Sequence, residues 1–412
     1  MAEKVLMKGN EAIAEAAIQA GCRHYFGYPI TPQTEIAAYM AKRMPKIGGT
    51  FLQAESEIAA INMVIGAASA GVRVMTSSSS PGISLKCEGL SYMAGCDLPA
   101  LVVNVQRGGP GLGGIQPSQS DYFQATRGSG HGDFRMIVLA PASVQEMASL
   151  TVRAFDLADT YRMTSMILAD GTMGQMMEPV ELNVGEVAKH EKPWAATGTG
   201  MKRPHNIINS LSLVAEELEA LNFKRYEKYK TVAEKETMYE EFMMEDADIC
   251  VVAFGIAARV SKNAVIAARE QGIKVGMIRP ITLWPFPNAP IAAAASKVKA
   301  FLSVELSMGQ MIEDVRVLAG FGTGEIQLEL LKLLPGTAMR AEAEALGIVY
   351  SPDVPYEVLQ TKAMSVEDLR QARLLSRLID GFYNALAWQE VTRKLIGHDE
   401  CFLSDFLRWM EE

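Results

Sequence analysis

Tyr28-Pro29-Ile30-Thr31-Pro32 sets a hydroxyl between two prolines, and Glu55-Ser56-Glu57 follows with a carboxylate entering an apolar run. Each proline holds its own φ near about −65°, so Thr31 sits on a stiff segment between a strand and a helix. That layout suits gripping an organic cofactor and an anionic substrate. Glu57 lies between the apolar Phe51–Ala54 run and Ile58-Ala59-Ala60, in the first turn of a helix that must be buried. The helix dipole favours a carboxylate there, which would be a purely structural role. A buried carboxyl that can share a proton also suits a ligand presenting a ring nitrogen. Taken alone, Glu57 fits either role; Thr31 and Arg107 at neighbouring strand ends favour the chemical one. Arg107 ends the strand Leu101–Val105 and opens Gly108-Gly109-Pro110-Gly111. A guanidinium so placed can fork onto a small carboxylate, or form a surface salt bridge.

Other signals are weaker. Gly109–Gly114 matches G-x-G-x-x-G, but Pro110 lies inside it and Ile115-Gln116-Pro117-Ser118 opens no helix to hold a pyrophosphate, so a dinucleotide site is set aside. His131, in Gly130-His131-Gly132-Asp133, is either a titratable site residue or an ordinary loop histidine. G-x-S-x-G, H-E-x-x-H and Walker A patterns do not occur, which leaves hydrolase, zincin and P-loop readings without support.

These residues need elements to hold them. Asn10 can cap a helix that stops at Gly21; His24–Tyr28 reads as a strand, and Thr31 as the N-cap of a helix with Pro32 at its first position. Phe51–Ala54, Val72–Thr76, Ala100–Val105, Met136–Leu139 and Met166–Ala169 read as strands. Between them, Ile58–Ala70, Ile83–Ala94 and Ser143–Tyr161 read as helices, and Ser77–Gly82 as a tight loop. Alternation of this kind predicts a doubly wound parallel sheet covered on both faces, with ligands at the carboxyl ends of its strands. The expected domains are 1–185, a linker with a charged helix at 186–246, a second α/β domain at 247–350, and a helical extension at 351–412. The linker's Glu216–Met244 is heavily charged, reads as helical and has no wide apolar face, as in a solvated connector. Ile249–Ala253, Val275–Ile278 and Phe301–Glu305 are the strands expected of the second domain. In the tail, Ser365-Val366-Glu367-Asp368 is a capping-box signature, followed at helical spacing by Leu369, Ala372, Leu375, Ile379, Phe382 and Leu386. A further piece carries Phe402, Leu403, Phe406, Leu407 and Trp409. The tail either packs on its own domains or docks another subunit.

Composition narrows the class. The 412 residues carry a net charge of −9 with no Lys/Arg stripe, which argues against nucleic acid. No run approaches the ~20 apolar residues of a membrane span, and no signal pattern opens the chain, so a cytoplasmic location is expected. The five cysteines are scattered without a C-x-x-C pair, so they read as buried thiols rather than as ligands of a metal or cluster. The 24 methionines read mostly as core filler.

Tyr28–Pro32, Glu55–Ile58, Thr76–Gly82, Val105–Pro110, Arg279–Pro287 and Val304–Gln310 together resemble the α subunit of 2-oxoacid:ferredoxin oxidoreductases, nearest the 3-methyl-2-oxobutanoate subgroup. The resemblance covers about residues 1–350 and implies thiamine diphosphate shared between two subunits. This chain would supply a pyrimidine-binding domain and a transketolase C-terminal-like domain. A β subunit would supply the diphosphate and Mg²⁺ domain, whose Gly-Asp-Gly signature is absent here. By the same resemblance, Glu57 matches the glutamate that bonds the aminopyrimidine ring nitrogen and favours its imino tautomer. Thr31 and Arg107 match positions holding the substrate carboxylate. Pro29, Ile30, Ser79, Pro81 and Gly82 join Glu57 among the cofactor-binding positions. The implied reaction is oxidative decarboxylation of a branched-chain 2-oxoacid, with coenzyme A taking the acyl group. Electrons would pass through 4Fe–4S clusters on γ and ferredoxin-like δ subunits to ferredoxin. The tail after Pro352 departs from the subgroup, which keeps open an aromatic 2-oxoacid enzyme of the phenylglyoxylate type with an NAD-reducing subunit. A non-catalytic assembly subunit and a self-sufficient, non-redox thiamine decarboxylase are the remaining alternatives.

Overall fold

Ala100–Gln106 and Thr164–Asp170 are buried at every position. Side chains alternate across a strand, so burial on both sides puts these two at the centre of a sheet covered on both faces. The computed structural model describes residues 4–182, 187–319, 338–353, 357–362 and 364–379, with 382, 391–392, 395, 402 and 405–406 in the tail. The chain divides into two compact units, residues 1–322 and 323–412.

In the larger unit the order begins β1 (Lys4–Lys8), α1 (Gly9–Gln19), β2 (His24–Gly27), α2 (Thr34–Arg43), β3 (Thr50–Gln53), α3 (Glu57–Ser69), β4 (Val74–Ser78) and α4 (Ser80–Gly95). It continues with β5 (Ala100–Gln106), α5 (Tyr122–Arg127), β6 (Ile137–Leu139), α6 (Val144–Tyr161), β7 (Thr164–Asp170), α7 (Gly171–Gln175) and β8 (Met177–Glu181). Strands β3, β2, β4, β5, β7 and β6 pair in that order, all parallel. One face packs Ile13 of α1, Ile36 and Met40 of α2 and Phe155 of α6. The other packs Ile61 and Val64 of α3 and Ile83, Leu90 and Met93 of α4. The α/β, doubly wound class expected of the sequence is the one observed. Antiparallel β1 and β8 form a separate two-stranded ribbon.

A second sheet follows, built from α8 (Ala215–Glu236), β9 (Tyr239–Phe242), β10 (Ile249–Ala253), α9 (Gly255–Glu270), β11 (Val275–Pro280), β12 (Thr282–Trp284), α10 (Asn288–Ala295), β13 (Ala300–Val304) and α11 (Met311–Ala319). Its order is β13-β10-β11-β9, with β9 antiparallel to β11. β12 leaves this sheet and pairs antiparallel with β6, closing the edge of the first. The two are clamped by Arg279 on β11, which is buried. Its Nη atoms donate to both carboxylate oxygens of Glu146 on α6 at 2.8 and 2.9 Å, and its Nε to Glu240 on β9 at 2.9 Å.

The structure corrects four local expectations. Asn10 caps nothing: it is fully buried inside α1, and its Nδ2 donates to Pro32 O and to Glu35 Oε2, each at 2.8 Å. Thr31 is not an N-cap, because the side chains of Asn10 and Gln175 capture the Pro32 carbonyl and delay α2 to Thr34. The Ser77–Gly82 loop resolves into the end of β4 and the start of α4, since Ser78 stays in register with Asn104 of β5. The charged helix ends at Glu236 and β9 follows. It is also not a free connector, because Tyr229 and Val232 are buried in the first sheet's core and Tyr229 meets Trp284 edge-on.

In the smaller unit the described elements are α12 (Ala338–Ala341), α13 (Ala343–Leu346), β14 (Val349–Tyr350), β15 (Val358–Gln360) and α14 (Val366–Leu378). The capping box forms as expected, with Ser365 Oγ accepting from Asp368 N and the Asp368 carboxylate accepting from Ser365 N. Leu369 packs with Ala343 and Val358, and Phe406 meets Phe382 and Phe402. Leu386, Leu403, Leu407 and Trp409 lie outside the described residues.

Removing the buried partner of two carboxylates should cost about 2–3 kcal/mol, discounted from the fully buried case because Glu146 and Glu240 keep some solvent contact. Arg279→Met is therefore expected to lower the calorimetric melting temperature by several degrees. Lys230→Met, which breaks an exposed pair with Glu227, should change it little.

Candidate active site

Every candidate residue of the first sheet except His131 lies at or next to the carboxyl end of a parallel strand, or on the helix that leaves it. The loop after β2 carries Pro29, Ile30 and Thr31. It is fastened from beneath by a buried chain in which the Tyr25 hydroxyl meets Ser77 Oγ at 2.7 Å. Ser77 Oγ donates to Gln33 Oε1 at 2.6 Å, and Gln33 Nε2 donates to the Tyr28 carbonyl at 3.2 Å. Thr31 itself is exposed.

Glu57 opens α3. Ser56 is the N-cap, its Oγ accepting from Ala59 N at 3.2 Å, which sets the first turn and turns Glu57 inward, 5% exposed. The carboxylate accepts a long bond from Ser78 Oγ at 3.4 Å. Gly82, in the first turn of α4, lies flat against it, and a Cβ there would collide with both Ser78 Oγ and Glu57 Oε1. Ser79, the residue before α4, keeps a buried hydroxyl that finds no partner among the described residues, and Pro81 sits in the helix's first turn. Buried polar atoms are nearly always satisfied, so the orphaned Ser79 hydroxyl is what a polar ligand would complete.

Arg107 is buried rather than on the surface, and its partners are backbone carbonyls, not a carboxylate. Nη1 donates to Thr31 O at 2.9 Å, Nη2 to Leu112 O at 3.0 Å, and Nε is buried and unpartnered among the described residues. The guanidinium thus ties the Thr31 loop to the glycine-rich loop and keeps one charged N–H free. The Arg107 main chain is held by Ser80 Oγ, which accepts from its N–H at 3.0 Å and donates to Asp121 at 2.6 Å. Burial pushes the Asp121 carboxyl up, against the hydrogen bonds from Ser80 and Asn104. The glycine-rich segment closes on itself, Gly108 N donating to Gln116 O and Gly114 N to Gly108 O, and opens no helix before Tyr122. This agrees with setting the dinucleotide site aside.

The second sheet positions this loop, a role its sequence did not announce. Gln119 N donates to Leu306 O, Leu306 N to Gln119 Oε1, and Gln119 Nε2 to Phe254 O, at 2.8–2.9 Å. Gln310 accepts from Phe123 N and donates to Ser120 O. His131 is elsewhere: it is exposed, its carbonyl accepts from Ser91, and its ring meets Tyr92, more than two turns along α4 from Gly82. A cavity of about 860 Å³ also lies apart from these residues, lined by Arg135, Leu218, Phe223, Tyr226, Tyr229 and Trp284.

Sequence reasoning missed Lys86, which is fully buried on α4 with its ammonium 3.2 Å from Thr76 Oγ1 and 3.4 Å from the Glu57 carbonyl. Its signal was present: Lys86 occupies the apolar stripe Ile83, Leu90, Met93, where a charge has no reason to be unless it is used.

Residues 15–243 match the family described as pyruvate flavodoxin/ferredoxin oxidoreductase, thiamine diphosphate-binding, and residues 247–342 match pyruvate:ferredoxin oxidoreductase core domain II. Residues 344–407 match a family of unknown function, DUF4080. The ketoisovalerate oxidoreductase subunit VorB of Methanothermobacter marburgensis is 53% identical over 318 residues, 76% of this chain and 90% of that one. The 2-oxoglutarate:ferredoxin oxidoreductase of Magnetococcus marinus, solved with 2-oxoglutarate, coenzyme A and succinyl-CoA, superposes with a TM-score of 0.71 at 29% identity. The match covers 78% of this chain and 62% of that one. A split gene transketolase shares the fold at a TM-score of 0.50 and 11% identity, over 83% of this chain and 93% of that one. The fold and the matched families give the same answer: this chain belongs to the pyruvate flavodoxin/ferredoxin oxidoreductase family and carries its thiamine diphosphate-binding domain.

Proposed function

We propose that this chain is the α subunit of a coenzyme A-acylating oxidoreductase that decarboxylates a branched-chain 2-oxoacid, and that it holds the pyrimidine end of thiamine diphosphate. The observation that carries the reading is the Glu57 carboxylate, inward-facing and pressed against Gly82, in the first turn of a helix whose preceding residue, Ser79, keeps a buried hydroxyl unpartnered among the described residues. When bound, the cofactor would supply a carbon nucleophile and an electron sink for the 2-oxo carbon. Glu57 Oε would hold the proton of the pyrimidine ring nitrogen. The Ser79 hydroxyl would bond the polar edge of the same ring, and Pro29, Ile30, Pro81 and Gly82 would form its walls. Arg107 Nε and the Thr31 hydroxyl would hold the substrate carboxylate.

The substrate class has a physical argument as well as a relative. Across the loops that carry these residues, 28–33, 54–57, 77–82 and 107–121, Arg107 is the one cationic side chain. A dicarboxylate would need a second. A single cation suits a 2-oxoacid with an apolar tail, in line with the ketoisovalerate relative. Coenzyme A takes the acyl group, carbon dioxide leaves, and the electron pair passes to ferredoxin through clusters on γ and δ subunits. A β subunit brings the diphosphate and Mg²⁺ domain. The test is purification of the native complex, identification of its subunits, and a screen of 2-oxoacids with coenzyme A and either ferredoxin or NAD. Turnover by this chain alone, or turnover independent of coenzyme A, would overturn the reading.

In the assembled complex Glu57→Gln should lower kcat roughly 100-fold or more, because the ring nitrogen loses its proton partner. Gly82→Ala should cost about 100-fold by displacing that carboxylate, with circular dichroism confirming an intact fold. Arg107→Ala should lower kcat/KM by about 10- to 100-fold through lost carboxylate binding, while thiamine diphosphate affinity, measured by titration, stays within a few-fold of wild type.

A further inference from the structure

Lys86 is a lysine where a hydrocarbon would fit. It is 0% exposed, and its neighbours on the stripe are Ile83, Leu90 and Met93. Replacing a buried charge by an apolar side chain of similar shape usually costs nothing or stabilises, so a retained ammonium calls for a use. Its surroundings name one. The α3 helix carries no charged side chain after Glu57, β4 and β5 carry none, and on α4 the only other one, Glu88, is exposed and takes the Tyr92 hydroxyl. The Glu57 carboxylate is the one opposite charge these elements turn toward Lys86. Nζ donates to the Glu57 carbonyl and to Thr76 Oγ1, so the cation also pins the first turn of α3 to α4 and β4.

We propose that Lys86 is the positioning residue for Glu57, a buried cation that fixes the first turn of α3 and sets a positive charge beside the Glu57 carboxyl. With the cofactor bound, the proton the two share then rests on the pyrimidine ring nitrogen rather than on Glu57 Oε. This deepens the reading of Glu57 given above and rests on it. The proton moves between those two atoms only, and no other reagent is consumed.

Lys86 also makes that balance sensitive to pH. Burial pushes its ammonium down to about 8, against the pull of Glu57, so the cation is present below that value and lost above it. As the pH rises through about 8, the proton should return from the ring to Glu57.

The experiment is a pH titration of the purified complex loaded with thiamine diphosphate, following the near-ultraviolet circular dichroism of the bound cofactor. Wild type should show a transition near pH 8. Lys86→Met should hold the high-pH spectrum throughout, with kcat at pH 7 lowered about tenfold and an unchanged melting temperature. A wild-type transition persisting in Lys86→Met overturns the proposal. Should Lys86→Met fail to assemble, Thr76→Val decides: it removes one acceptor of the ammonium and should move the transition below pH 8, and an unmoved transition overturns the proposal. Glu57→Gln separates the two readings. If it retains full turnover, the assignment of Glu57 fails; if it silences turnover while Lys86→Met behaves as wild type, only the role of Lys86 fails.

Discussion

The clamp at Arg279 joins what would otherwise be two separate sheets. Burial alone would pull its guanidinium toward neutrality, and the carboxylates of Glu146 and Glu240 more than offset that, so the charge stays. A planar fork is required: both Nη atoms meet Glu146 on the first sheet's helix while Nε meets Glu240 on the second sheet's edge strand. Lysine, a point charge, could not span that geometry. From this clamp the chain runs directly into β12, and the second sheet's strand ends then reach the 117–123 loop through Gln119, Leu306 and Gln310. That loop carries Asp121, Asp121 holds Ser80, and Ser80 holds the main chain of Arg107. The site on one sheet is thus aligned by residues of the other.

The site itself is built by economy of side chains. Glu57 opens its helix, and Ser56 satisfies the neighbouring Ala59 amide, which leaves the carboxylate with a long bond from Ser78. Gly82 is required by contact rather than by backbone freedom: its missing Cβ is the space the carboxylate uses. Arg107 spends two donors on carbonyls and keeps Nε. A guanidinium braced in this way is held in one orientation, which lowers the ordering cost of binding an anion.

Much of this was legible from residue types and spacing. Strands such as Ala100–Val105 announced themselves as unbroken apolar runs, and the placing of Glu57 and Arg107 at strand ends followed from the alternation of strands and helices. What stayed hidden depended on partners far away in the chain. Asn10 reads as a cap by type, yet Pro32 and Glu35, more than twenty residues on, take its amide inside the core. Thr31-Pro32 reads as a helix start, but tertiary capture of the Pro32 carbonyl overrides local preference. The charged stretch at Glu216–Met244 hides two buried residues among many exposed ones, too few to make a visible face. Lys86 was visible as a charge on an apolar stripe, and the sequence alone gave no hint that Glu57 was its neighbour.

The strand that closes the first sheet has a consequence for how the chain is made. β6 ends at Leu139, and its antiparallel partner begins at Thr282. During synthesis an apolar three-residue strand, buried at every position in the finished fold, leaves the ribosome with one hydrogen-bonding edge open. Its partner arrives only after about 140 more residues, a delay of roughly ten seconds or more at ordinary elongation rates. Unpaired apolar edges template association with other chains. The nascent first domain therefore passes through a long interval in which that edge is open to association with other chains.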